Sequence, residues 1–212
     1  MLVFIIHCWI ISFHPSPADS DHLFFLHNRY LESNDLNRPH DVYGKMEYNE
    51  IITAFKANGF EVHNEIRPTN TDPKVYAQKI KLEIENLISS GVSPDHITVV
   101  GTSKGGYIAQ YVSTYPANPE VNFVFLASVM KGDENTFPEI NFCGNILNIY
   151  DLSDTSFVSG IKRKETSKLK ISRYQDIAIN TGLSHGFLFK AMKEWIDPTA
   201  LWAYRKYDEI HE

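Results

Sequence analysis

Ile97-Thr98-Val99-Val100-Gly101-Thr102-Ser103-Lys104-Gly105-Gly106 is the stretch on which the reading of this chain turns. The apolar run Ile97 to Val100 leads directly into Gly-x-Ser-x-Gly, and Tyr107 to Thr114 beyond it has helical character. At a strand-to-helix junction this motif marks a sharp turn. The turn lifts a serine hydroxyl clear of the sheet and aims backbone N–H groups at whatever bonds to it. Gly101 and Gly105 suit the turn because a Cβ at either position would clash where strand and helix approach. Gly101 and Gly106 also have the spacing of a phosphate loop. That loop needs a lysine and a hydroxyl residue next, and here Tyr107 and Ile108 follow.

Outward from this turn, short apolar runs alternate with helical segments. His22 to His27, Phe60 to Ile66, Ile97 to Val100, Val121 to Ala127 and Ile146 to Tyr150 read as strands, and Ile171 to Ile179 as a last, edge-like one. Tyr48 to Ala57 carries Ile51, Ile52 and Phe55 at helical spacing and should stop at Asn58-Gly59. Asp72-Pro73 starts a helix as an N-cap followed by proline does, with Ile80, Ile84, Leu87 and Ile88 facing inward and Gly91 ending it. Gly186 to Trp195 and Thr199 to Ile210 are expected to close the chain as two helices, with Trp195 and Trp202 in the core. Strands that are apolar throughout and separated by helices predict an α/β fold. Its sheet should be mainly parallel, with about six strands and helices on both faces.

In such a sheet ligands bind beyond the carboxyl ends of the strands. The polar residues expected there are His27-Asn28-Arg29, Ser103, Asp151-Leu152-Ser153-Asp154 and the loop Asn180 to Gly186, which holds His185. Serine, aspartate, histidine is a chain order used for nucleophilic catalysis on this kind of sheet. His185 is the expected base, since the other late histidine, His211, lies on a tail at the chain end. Asp154 is the expected acid, with Asp151 and Asp133 as alternatives.

The stretches HNRYLE (His27 to Glu32), VVGTSKGG (Val99 to Gly106), YDLSD (Tyr150 to Asp154) and TGLSHGF (Thr181 to Phe187) together resemble a small bacterial branch of the α/β-hydrolase superfamily without a large cap. Two departures accompany the likeness. Asn28 stands where glycine is usual after the histidine, and the strands that usually open the fold have no counterpart before His22, so a trimmed sheet is expected. The resemblance implies a serine hydrolase acting on an ester or similar acyl bond. Ser103 would be nucleophile, His185 base and Asp154 its orienting acid, with backbone N–H groups of Lys104 and of Asn28 or Arg29 forming an oxyanion hole. A thioesterase or peptidase with the same three residues, or a non-catalytic binding protein, are the alternatives. The Arg29 guanidinium either meets an acidic substrate group or pairs with Glu32 or Asp35. Arg67 is a candidate brace for the oxyanion loop, and Tyr107 and the Lys104 side chain are expected to flank the pocket. Thr136 to Cys143 and Thr155 to Lys170 are too short for a multi-helix cap, which implies an open, shallow site.

At 212 residues, 43% hydrophobic and 22% charged, the chain has the make-up of one soluble globular domain. A net charge of −6 argues against nucleic acid as partner; the resemblance implies a small-molecule acyl substrate. Leu2 to Phe13 is too short to span a bilayer, which takes ~20 residues, so no stable membrane insertion is expected. Its length and the small residues Ala18 to Ser20 suit a secretory signal over residues 1–20, with a single domain over 21–212 and a secreted or periplasmic location. No positive side chain precedes the apolar run. A first strand and a cytoplasmic location are therefore the other reading. Of the two cysteines, Cys8 would leave with a signal and Cys143 would stand alone. No His, Cys and Asp spacing matches a metal site, and no cofactor is implied.

Overall fold

The computed structural model describes residues 20–115 and 118–211. The signal reading and Cys8 lie outside these residues. Six parallel strands form one open sheet in the order β2-β1-β3-β4-β5-β6: β1 His22–Leu26, β2 Glu61–Asn64, β3 Ile97–Thr102, β4 Asn122–Leu126, β5 Gly144–Asp151 and β6 Ile171–Ile179. Helices α1 (Tyr48–Ala57), α2 (Pro73–Ser89), α3 (Lys104–Thr114) and α6 (Lys193–Ala203) cover it, with short helices α4 (Asp133–Thr136) and α5 (Ile161–Thr166) in the loops after β4 and β5. Among the described residues no helix is long and apolar enough to cross a membrane.

Alternate residues of each strand feed two separate cores, as the period-2 geometry of a strand requires. On one face Leu23, Phe25, Val100 and Leu147 pack with Ile51 and Phe55 of α1 and with Trp195 and Trp202 of α6. On the other, Phe24, Val99, Phe123 and Ile146 meet Ile80 and Ile84 of α2 and Ile108 and Val112 of α3. A sheet buried on both sides explains why its central strands are apolar at nearly every position. The edge strand β6 is mostly half-exposed and alternates instead.

Local signals act as expected at α1 and α2. The Asp72 carboxylate caps α2 by accepting from the N–H groups of Lys74 (2.8 Å) and Val75 (2.9 Å), and Gly91 follows the helix with φ +104°. Helix α3 begins at Lys104 rather than Tyr107, because Gly105 and Gly106 form its first turn. The closing segment also differs from expectation. Residues Ser184–Phe189 make a 3₁₀ turn, and one helix, α6, runs through Pro198 where two helices were expected. Proline removes one helical hydrogen bond. Burial of Trp195, Ile196, Ala200, Trp202 and Ala203 along one helix face outweighs that loss.

Trp202 is fully enclosed and donates its indole N–H to the Asn145 carbonyl at 3.2 Å. Replacing it with alanine should lower the free energy of unfolding by about 3–5 kcal/mol in urea titrations.

Candidate active site

The strand order reverses beside β1, whose chain leaves toward β2 while that of β3 leaves toward β4. The loops after β1 and β3 therefore part and open a crevice at the carboxyl end of the sheet. Ser103 lies there in a backbone conformation rare for a non-glycine residue, φ +52° and ψ −117°. Its own N–H is fixed to the Leu126 carbonyl (2.9 Å), and its carbonyl accepts from Gly106 N–H (2.8 Å). The flanking glycines are required by space. A Cβ on Gly101 would lie 2.3 Å from the Gly105 carbonyl oxygen, and one on Gly105 would lie 1.9 Å from that of Leu26.

Ser103 Oγ is 3.0 Å from Nε2 of His185, and Nδ1 of His185 is 2.7 Å from Oδ2 of Asp154. The carboxylate accepts from Nδ1–H, which leaves the Nε2 lone pair facing the hydroxyl. The ring of His185 stacks on Phe157, with centroids 4.9 Å apart and planes inclined by 18°. This chain of contacts can draw the proton from Ser103 and hold it on the imidazole.

The two alternative carboxylates have other partners. Asp133 accepts from the Tyr107 hydroxyl (2.6 Å) and the Met130 N–H (2.8 Å). Asp151 is fully buried and accepts from the Ser153 N–H (2.7 Å) and the Thr181 N–H (2.9 Å), as well as from both hydroxyls. Ser153 Oγ accepts in turn from the Ser184 N–H at 2.9 Å. Asp151 thus ties the Asp154 loop to the His185 loop. Burial alone would push its carboxyl up, but the hydrogen bonds from Ser153 and Thr181 outweigh that and hold its pKa below the usual carboxylate range.

After β1 the chain enters a 3₁₀ turn, Arg29–Glu32, capped by Asn28 Oδ1 accepting from the Tyr30 N–H (3.1 Å). Lys104 and Arg29 each begin a helical turn, so their N–H groups have no partner within it. Arg67 braces this loop. Buried to 1% exposure, it donates Nε to Glu32 Oε1 (3.1 Å) and Nη2 to the carbonyls of His27 and of Asn28 (3.3 Å for the latter). Its N–H reaches His27 Nε2 at 2.9 Å, and His27 Nδ1 donates to the Asn28 carbonyl at 2.6 Å. Burial and then the Arg67 charge pull the His27 pKa down to about 3, so this ring is neutral in its Nδ1–H form. Glu32 Oε2 also takes the Lys104 ammonium at 2.6 Å. Since Glu32 serves Arg67 and Lys104, it is not the partner of Arg29 that the sequence suggested. Asp35 instead accepts from the Asn37 N–H (2.8 Å).

Ser103 and Arg29 line two clefts. One, of about 310 Å³, is walled by Tyr30, His40, Tyr43 and Phe189. The other, of about 520 Å³, is walled by Lys74, Lys104, Tyr107, Tyr111 and Phe137. Tyr107 and Lys104 thus flank the site as expected. His40 and Tyr43, stacked on each other with centroids 4.5 Å apart, were not anticipated. They lie in the irregular stretch before α1, where no periodic signal exists.

This architecture is the α/β-hydrolase fold. No protein-family model and no curated protein matches the chain. Among solved structures, a lid-less α/β serine hydrolase from Xanthomonas campestris is similar with a TM-score of 0.58 at 12% identity, over 93% of this chain and 88% of that one. SOBER1 of Arabidopsis thaliana is similar at 0.57 and 14%, over 88% of this chain and 99% of its own. A lipase-esterase related protein of Clostridium acetobutylicum is similar at 0.54 and 14%, over 87% and 96%.

Two outcomes follow from these contacts. Gly105→Ala should yield little folded protein on expression and gel filtration, since the Leu26 and His27 backbone would have to move. Asp151→Asn should lower stability at neutral pH. The folded pKa of Asp151 is depressed, so its stabilising contribution is present above the unfolded value of about 3.9 and fades as pH falls through the folded value. Urea midpoints of wild type and variant should therefore converge in strong acid.

Proposed function

We propose that this protein is a serine hydrolase that cleaves an ester or a similar acyl bond through an acyl-enzyme intermediate. The observation that carries the reading is the unbroken contact from Ser103 Oγ through His185 to Asp154, at 3.0 and 2.7 Å. The similar solved structures described as a serine hydrolase and as lipase-esterase related support it at the level of fold.

In this reading the Ser103 hydroxyl attacks the acyl carbonyl as its proton passes to His185 Nε2, and Asp154 stabilises the imidazolium through Nδ1–H. In this reading the negative charge that develops on the carbonyl oxygen is met by the N–H groups of Lys104 and Arg29, each at the start of a helical turn. Donors of this kind act on charge present only in the tetrahedral intermediate, and loss of one costs about 10²–10³ in rate. His185 then returns the proton to the leaving group, and water releases the acyl group by the same route in reverse. The short helices α4 and α5 are too small to enclose a large substrate, so both clefts remain open to solvent. Arg29 is exposed and borders both; in this reading it meets an anionic substituent.

A fluorophosphonate probe should label wild type at Ser103 and leave Ser103→Ala and His185→Ala unlabelled. Folded wild type that stays unlabelled would point to a binding protein instead. Turnover of graded p-nitrophenyl esters should fall by at least about 10³-fold in Asp154→Asn, by analogy with loss of the orienting acid in other triads. Asp151→Asn should lose far less, since it acts through the loops. The reverse ranking would reassign the acid.

A further inference from the structure

We propose that His22, Glu61 and His63 form a binding site for a divalent d-block cation such as Zn²⁺, at the end of the sheet opposite Ser103. The three residues are far apart in sequence, but β1 and β2 pair with His22 opposite Glu61 and Phe24 opposite His63. Side chains two apart on a strand share a face, so all three project from the same side of the pair. Nδ1 of His22 lies 3.0 Å from Nε2 of His63 and 3.6 Å from Oε2 of Glu61, and all three ligand atoms fall within 4.8 Å of one another. Zinc bonds to imidazole nitrogen and carboxylate oxygen at about 2.0–2.2 Å, which sets tetrahedral ligand atoms roughly 3.3 Å apart. The two measured edges bracket that value, and the exposed Glu61 side chain is free to close the third.

The surroundings hold the ligands ready. His22 is 2% exposed, and the His63 ring is stacked on Phe24 with centroids 4.4 Å apart and planes inclined by 14°. Two ring nitrogens facing each other at this distance share one proton, so one lone pair is always directed at the other ring. A cation between them would replace that contact with two bonds. Two imidazoles and one carboxylate favour zinc, nickel or cobalt over magnesium or calcium, which take oxygen ligands. Water would complete a tetrahedral ion. His22 opens β1, whereas Ser103 follows the far end of β3, so the ion takes no part in the acyl chemistry. It would clip the edge strand β2, paired with β1 at only four positions, just before the chain reaches Arg67.

Calorimetric titration of the chelator-stripped full-length chain with Zn²⁺ should show one equivalent bound, and Co²⁺ should give a visible ligand-field band. His63→Gln and Glu61→Ala should each weaken zinc binding at least tenfold, the loss seen even for residues that merely support a ligand, and His63→Gln should abolish the Co²⁺ band. His96→Gln should leave both unchanged. Zinc should also raise the melting temperature of wild type and not of His63→Gln. Absence of stoichiometric binding by wild type, or wild-type affinity retained in His63→Gln and Glu61→Ala, would overturn the site. Fluorophosphonate labelling of Ser103 is independent of either result.

Discussion

The first turn of α3 rests directly on the end of β1, and the rest of the site depends on that contact. Gly105 has no side chain, so the helix backbone can sit against the Leu26 carbonyl at a distance any Cβ would forbid. This approach brings the start of α3 alongside the loop that starts at His27. It also forces Ser103 into its strained conformation, with the hydroxyl raised above the sheet. Strain of this kind persists only where the surroundings over-determine it. Here Leu126 fixes the serine N–H and Gly106 its carbonyl.

Around that contact the chain builds two supports of different chemistry. On the β1 side the support is ionic and buried: Arg67, Glu32 and Lys104 join the stretch after β2, the turn after β1 and the start of α3. Glu32 is shielded from water and holds two cations, which offsets the desolvation that burying either pair alone would incur. On the histidine side the support is a single carboxylate, Asp151, saturated by donors from its own loop and from the next. Arg67, Glu32 and Asp151 line neither cleft; they hold in place the loops and the helix start that carry Arg29, Lys104, Asp154 and His185.

The space around Ser103 is also divided in two. The crevice opens into one cleft walled by Tyr30, Tyr43 and Phe189 and another by Tyr107, Tyr111 and Phe137, with Ser103 between them. Flat aromatic walls with polar tips accept both apolar and partly polar groups.

The sequence by itself determined the α/β class, the parallel sheet and the Gly-x-Ser-x-Gly turn, because each is a local matter of periodicity, capping or backbone clash. It also put forward His185, whose Nε2 the fold brings to 3.0 Å from Ser103 Oγ. It put Asp154 ahead of Asp151 and Asp133 without excluding either, because all three follow strands and differ in what each meets across the fold. The pairing of Arg67 with Glu32, 35 residues apart, and that of His22 with His63, 41 apart, were decided by tertiary structure. So was the continuity of α6 through Pro198, where packing of two tryptophans overrode a local helix-breaking signal. Contacts between distant segments arise from strand order and register, and no local pattern encodes either.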